Sequence, residues 1–189
     1  MKTVTPIHNE QAEWQWLLAE AEEISRHDLD ALMQAYVLHT LLDHHGRVDT
    51  VLGVLPAVDA IEAMAAGLSE RGRRLKKLAD ESLLALGLFA DKVEDQLGDV
   101  GFLARLGRAT YAEIADSSEG EVAELFSQLA DHFNALLDVL QVMRDLAGDP
   151  DRNLLGAAEL WSQTGSGAAY RRVASQTHGN LAAMPEAVQ

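Results

Sequence analysis

Apolar residues return every three or four positions along most of this chain, the spacing that lines one face of an α-helix. The pattern is cleanest between Ser82 and Leu140, about sixty residues without a proline, where glycines alternate with leucine, alanine and phenylalanine. A first helix is expected over residues 10–26, with Trp14, Leu17, Leu18 and Ala21 on one side and glutamates on the other. Trp14 and Trp16 cannot share one narrow face, so at least one of them should be exposed. A second helix is expected from Asp28 to His44, its apolar surface built from Leu29, Leu32, Met33, Tyr36, Val37 and Leu41, with Gly46 as its break.

The run Leu52, Leu55, Val58, Ile61, Ala65, Leu68 contains Pro56, which lacks a backbone N–H and predicts a kink or a late helix start. Arg73 to Leu97 reads as one helix, weakened locally by Gly87, where a missing side chain also lets another helix come close. Asp99 is placed to cap the next helix, whose inner face is Leu103, Ala104, Gly107, Tyr111 and Ile114. After Ser117, Ser118 and Gly120, one long stripe runs from Val122 through Leu129, Phe133 and Leu136 to Met143, with Ser118 and Glu121 spaced as a capping box. A last helix is expected over Asn153 to Ala174. The sequence thus predicts an all-α single domain, a bundle or orthogonal array of six to seven helices over residues 10–174, between an irregular lead-in (1–9) and a loose tail (175–189).

Composition fits this picture. The 189 residues are 48% hydrophobic but only 5% aromatic, and leucine and alanine suit helices better than strands. With 15 basic against 30 acidic residues the net charge is -15, a surface that repels nucleic-acid backbones. A protein partner or a homo-oligomer is therefore favoured over nucleic acid. One local exception packs Arg71, Arg73, Arg74, Lys76 and Lys77 into seven residues. Such a patch can meet a phosphorylated ligand, an acidic partner or the protein's own acidic surface, or simply form a solvated helix face. Cysteine is absent, so disulfides, thiolate nucleophiles and sulfur-ligated metals are excluded. No stretch approaches twenty uncharged apolar residues, and the first residues lack an apolar signal core, so the expectation is a soluble cytoplasmic protein with no membrane partner.

Three segments, taken in order, resemble a family of bacterial all-helical proteins with no assigned reaction, cofactor or partner. They are AYVLHTLLDHH (35–45), LGLFADKVEDQLGDVGFLARLGRATYAEIA (86–115) followed by LFSQLADHFNALLDVL, and NLLGAAELWSQTGSGAAYRRV (153–173). The resemblance implies a helical fold and draws attention to Asp99, Gly101, Gly107 and Tyr111, and to Trp161, Thr164, Gly165 and Ser166. This chain departs from it at His39, where similar proteins look more like asparagine, and in its His44-His45 pair.

Candidate chemistry is sparse. His39 and Asp43 lie four apart on a predicted helix and can reach one point, and His132, Glu94 and Asp95 are candidates for a further ligand from elsewhere, a set suited to zinc, iron or manganese. Histidines near a helix C-terminus are equally explained by capping and by the helix dipole. Asp91, Glu94, Asp95 and Asp99 form an acidic row that can split its pKa values in a pocket or be neutralised as plain ion pairs. Arg105 and Arg108 offer planar forks for a carboxylate or phosphate, and Tyr111, Thr164 and Ser166 add hydroxyls; Thr164 is also able to bond within its own helix. The chain holds no HExxH, paired ExxH, GxSxG, GxGxxG or GxxxxGK[ST] motif. The function these features favour is binding, by a non-enzymatic helical protein that meets a partner or itself, with Trp14, Trp16 and Trp161 as anchors. The alternative is a small-molecule or metal-binding bundle, with an enzyme as one form of it.

Overall fold

The computed structural model describes residues 10–44, 56–97 and 99–147. Among them are seven helices and no strand: α1 (Glu10–Ser25), α2 (Ala31–His44), α3 (Pro56–Ala65), α4 (Leu68–Leu97), α5 (Val100–Asp116), α6 (Gly120–Asp131) and α7 (Phe133–Leu146). The lead-in, the predicted C-terminal helix, Trp161, Thr164, Gly165, Ser166 and the tail lie outside the described residues.

Local chemistry sets the ends of these elements. α1 stops where Arg26 takes a left-handed φ of 61°, turning the chain toward α2. Asp30 Oδ1 then accepts from Met33 N at 2.8 Å, an N-cap that starts α2 two residues later than its apolar run suggests. Pro56 is the first described residue of α3, a position where a missing N–H costs nothing; the residues before it, on which the choice between a kink and a late start depends, lie outside the described residues. Asp99 caps α5 by accepting from Phe102 N at 2.7 Å. The expected capping box at Ser118 and Glu121 does not form: Glu119 holds the cap position without a side-chain bond, and Gly120 follows with φ 61°.

The long stripe from Val122 to Met143 is two helices, separated at His132 (φ -97°, ψ 15°). α7 is the centre of the fold. It packs mainly on α1 and α4, while α4 packs on α5, α5 on α6, α3 on α4, and α2 on α1 and α6. Leu136, Leu137, Val139, Leu140 and Met143 are all buried, and so are the polar Asp138, Gln141 and Arg144 of the same helix. A helix buried all round must satisfy its polar groups internally. His27 Nε2 meets Asp138 Oδ2 at 2.9 Å, and Arg144 Nη1 donates to the Leu88 carbonyl at 3.3 Å and approaches Asp91 at 3.6 Å. The Leu88 carbonyl precedes the kink of α4 at Phe89 (φ -133°, ψ 31°).

Glycine gives α7 its close seat on α4. A Cβ at Gly87 would lie 2.5 Å from Leu140 Cβ, and one at Gly107 would lie 2.7 Å from Phe133 Cζ and 3.0 Å from Ser82 Cβ. No helix of the described residues is long and apolar enough to cross a membrane.

Candidate functional site

Two polar arrangements stand out, one buried and one open. The buried one centres on Asp80, which sits in the apolar run of α4 and is nearly inaccessible to water. Its Oδ1 accepts from the Tyr36 hydroxyl of α2 at 2.6 Å and from the Tyr111 hydroxyl of α5 at 2.8 Å. Its Oδ2 accepts from Lys76 Nζ at 2.6 Å, and that ammonium also lies 4.9 Å from the centre of the Tyr36 ring. Burial, with the Asp80 charge adding to it, pushes both phenols well above their ordinary pKa of 10.0, so they stay protonated and remain donors. Tyr36, Tyr111 and Phe126 stack edge-on and tilted around the carboxylate, with Phe133 behind Tyr111. Packed rings and leucines surround this cluster, and its evident work is to tie α2, α4 and α5 together.

This places Tyr111 in the core, completely buried, whereas Arg105 and Arg108 of the same helix are exposed. Arg105 points back to Asp99 at 3.8 Å. Of the five residues that the sequence offered as one binding set, Tyr111 is thus parted by burial from the two arginines, and Thr164 and Ser166 lie outside the described residues. His39 Nδ1 and Asp43 Oδ2 do approach to 3.2 Å, but on an exposed face. His132 Nδ1 bonds the Gln128 carbonyl in the last turn of α6 at 3.0 Å. Among the described residues there is no group of three or more His, Cys, Asp or Glu able to hold a metal ion. Two members of the acidic row have structural partners: Asp91 faces Arg144, and Asp99 is a helix cap.

The basic patch is spent on the protein's own carboxylates. Arg71 pairs with Glu113, Arg73 with Glu70, Arg74 with Glu70 at 2.9 Å and Glu62 at 3.5 Å, Lys76 with Asp80, and Lys77 with Glu81 at 3.6 Å. Hydrogen bonds from Arg74 and Arg73 hold the Glu70 carboxyl below its ordinary pKa. Of the roles open to this segment, neutralising the acidic surface is the one the geometry displays.

The open arrangement is a groove of about 750 Å³ between α1 and α2. Its walls combine Leu18, Ala19, Ala35, Leu38 and Leu42 with a polar edge of Gln11, Gln15, Gln34 and His39. Glu22, the one carboxylate in its lining, is engaged within the turn, accepting from Leu29 N at 2.8 Å and from Gln34 Nε2 at 3.1 Å. Alanines of both helices, Ala19 of α1 and Ala31 and Ala35 of α2, are among the residues that line it. Beside it, Trp16 is 61% exposed on α1 and Leu32 is 48% exposed on α2. Trp14, by contrast, packs against the core, so the two tryptophans divide as their spacing requires. The pattern of the sequence points to Trp16; it does not point to the groove, whose alanines carry no signal of their own.

No protein-family model, curated protein or solved structure matches this chain.

Proposed function

We propose that this chain is a binding protein that accepts a helix of another polypeptide, or of a second copy, in the groove between α1 and α2. The observation that carries the reading is the groove itself: an apolar floor with a polar edge, flanked by the exposed Trp16 and Leu32. An amphipathic helix buries its apolar stripe in such a floor through residues spaced at three and four, and an exposed tryptophan beside it supplies the anchor. The Asp80 cluster serves this role from behind. By fixing Tyr36 to α4 and α5 it holds α2 in place while the opposite face of α2 stays open.

The test is amide hydrogen exchange over residues 11–42, alone and with three amphipathic helical peptides that share a leucine stripe and carry lysine, glutamine or glutamate elsewhere, combined with light scattering over a wide concentration range. Slowed exchange on α1 and α2 with at least one peptide, or on self-association, is the expected result. If none of the peptides protects these helices and the protein stays monomeric, the reading is wrong.

A further inference from the structure

We infer that α4 carries a hinge at Phe89 and that Arg144 of α7 is the latch that holds it bent. α4 runs thirty residues without a proline, so the break in its helical geometry at Phe89 (φ -133°, ψ 31°) needs another cause. Two residues earlier, Gly87 removes the side chain that would keep α7 away, since a Cβ there would lie 2.5 Å from Leu140 Cβ. Arg144 follows Leu140 by four positions and stands one turn further along the same side of α7. Its Nη1 donates to the Leu88 carbonyl at 3.3 Å and lies 3.6 Å from Asp91 Oδ2. One guanidinium nitrogen thus meets α4 on both sides of Phe89. A side chain that enters the backbone ladder in this way bends a helix. Lys92 adds a second hold, its ammonium 5.7 Å from the centre of the Phe89 ring.

The segment has two self-consistent arrangements. In the bent one the buried Arg144 has a carbonyl and a carboxylate before it, and the ladder of α4 is irregular across Phe89. In the straight one Phe89 takes helical angles, the ladder closes, and Arg144 gives up the Leu88 carbonyl. A hydrogen bond from a buried guanidinium is stronger than a neutral ladder bond, so the bent form prevails while Arg144 is in place. The hinge parts a long arm, residues 68–88, which carries Asp80 and the basic run, from a short arm, residues 90–97. The short arm leads into Asp99, the cap of α5. A movement of α7 that withdraws Arg144 lets the short arm swing and carry the start of α5 with it.

Native-state amide exchange on the full chain, on Arg144→Met and on Arg144→Lys tests this. Methionine keeps an unbranched apolar stem in the arginine's place and removes its donors. In the unmodified chain the amides of residues 90–93 reach back across Phe89 for their acceptors. They should exchange about tenfold or more faster than those of residues 83–86, and faster also than those of residues 94–96. In Arg144→Met the ladder closes, and the amides of residues 90–93 should slow by about tenfold relative to those of residues 83–86. Arg144→Lys keeps a positive charge opposite Asp91 but lacks the planar fork, and should fall between the two. Faster relative exchange of residues 90–93 in Arg144→Met makes the arginine a stabilising contact and nothing more, which overturns the inference. So does unchanged relative exchange there. In the unmodified chain, a steady rise from residue 83 to the end of α4 is fraying without a hinge and also overturns it. If neither variant folds, that profile of the unmodified chain still decides.

Discussion

Asp80 shows how one side chain can decide where three helices sit. Its two oxygens divide the work, Oδ1 taking both phenols and Oδ2 the lysine. In Asp80→Ala the Tyr111 hydroxyl is left buried without this acceptor and Lys76 without its counter-ion, and the expected loss is about 3 kcal/mol in a urea titration. Asp80→Asn keeps an oxygen for the phenols and forfeits the charge, so about 1 kcal/mol is expected. Equal losses would mean that the ion pair with Lys76, rather than the phenol bonds, supplies the stabilisation. None of this is legible in the sequence pattern. Tyr36 counts as apolar in a periodic stripe, and Tyr111 is singled out there as a binding residue only by resemblance. The available signal is an acidic pair, Asp80-Glu81, inside the apolar run LADESLLALGLFA, since a charge in such a run must find partners.

At the scale of the element, periodicity tells helix from strand throughout the described residues, because the spacing of leucine and alanine depends only on which side of a helix faces the core. It tells breaks less well. Phe133 falls four positions after Leu129 and three before Leu136, so the stripe stays in phase across His132 and reads as one helix although the backbone turns there. The glycines are more informative, since Gly87 does mark a close helix contact. Gly87→Ala would set its new Cβ 2.5 Å from Leu140 Cβ and 2.6 Å from Cδ1. A different Leu140 rotamer moves Cδ1 but leaves Cβ in place, so α4 and α7 must separate. The gain in helix propensity, about 1 kcal/mol, is outweighed by overpacking of about 1–3 kcal/mol. A lower thermal midpoint is expected for Gly87→Ala, and none for Gly72→Ala, where a Cβ would meet nothing within 4 Å. A midpoint for Gly87→Ala at or above that of the unmodified protein would show that the helices slide apart at little cost.

For the whole molecule, the distribution of burial predicts an order of local stability. α7 has ten of its fourteen residues buried, including an unbroken run from Leu136 to Arg144. To expose its amides, α1 and α4 must both leave it, and the Asp138 and Arg144 contacts to the turn after α1 and to the kink of α4 must break with them. Opening of that kind approaches global unfolding. α3 is the opposite case: ten residues long, packed mainly on α4, with Met64 55% exposed. Among its described side chains, opening sacrifices Ala63 from the core and the Arg74–Glu62 pair, a surface contact worth little. Native-state amide exchange should therefore find the slowest amides between Leu136 and Met143, and those of α3 faster by at least about a hundredfold. The same experiment separates central burial from helix length, because α4, at thirty residues, is far longer than α7. If length governed protection, the middle of α4 would outlast α7 by a clear margin. If α3 matched α7, the molecule would open only as a single unit, and the groove face could not loosen without the core.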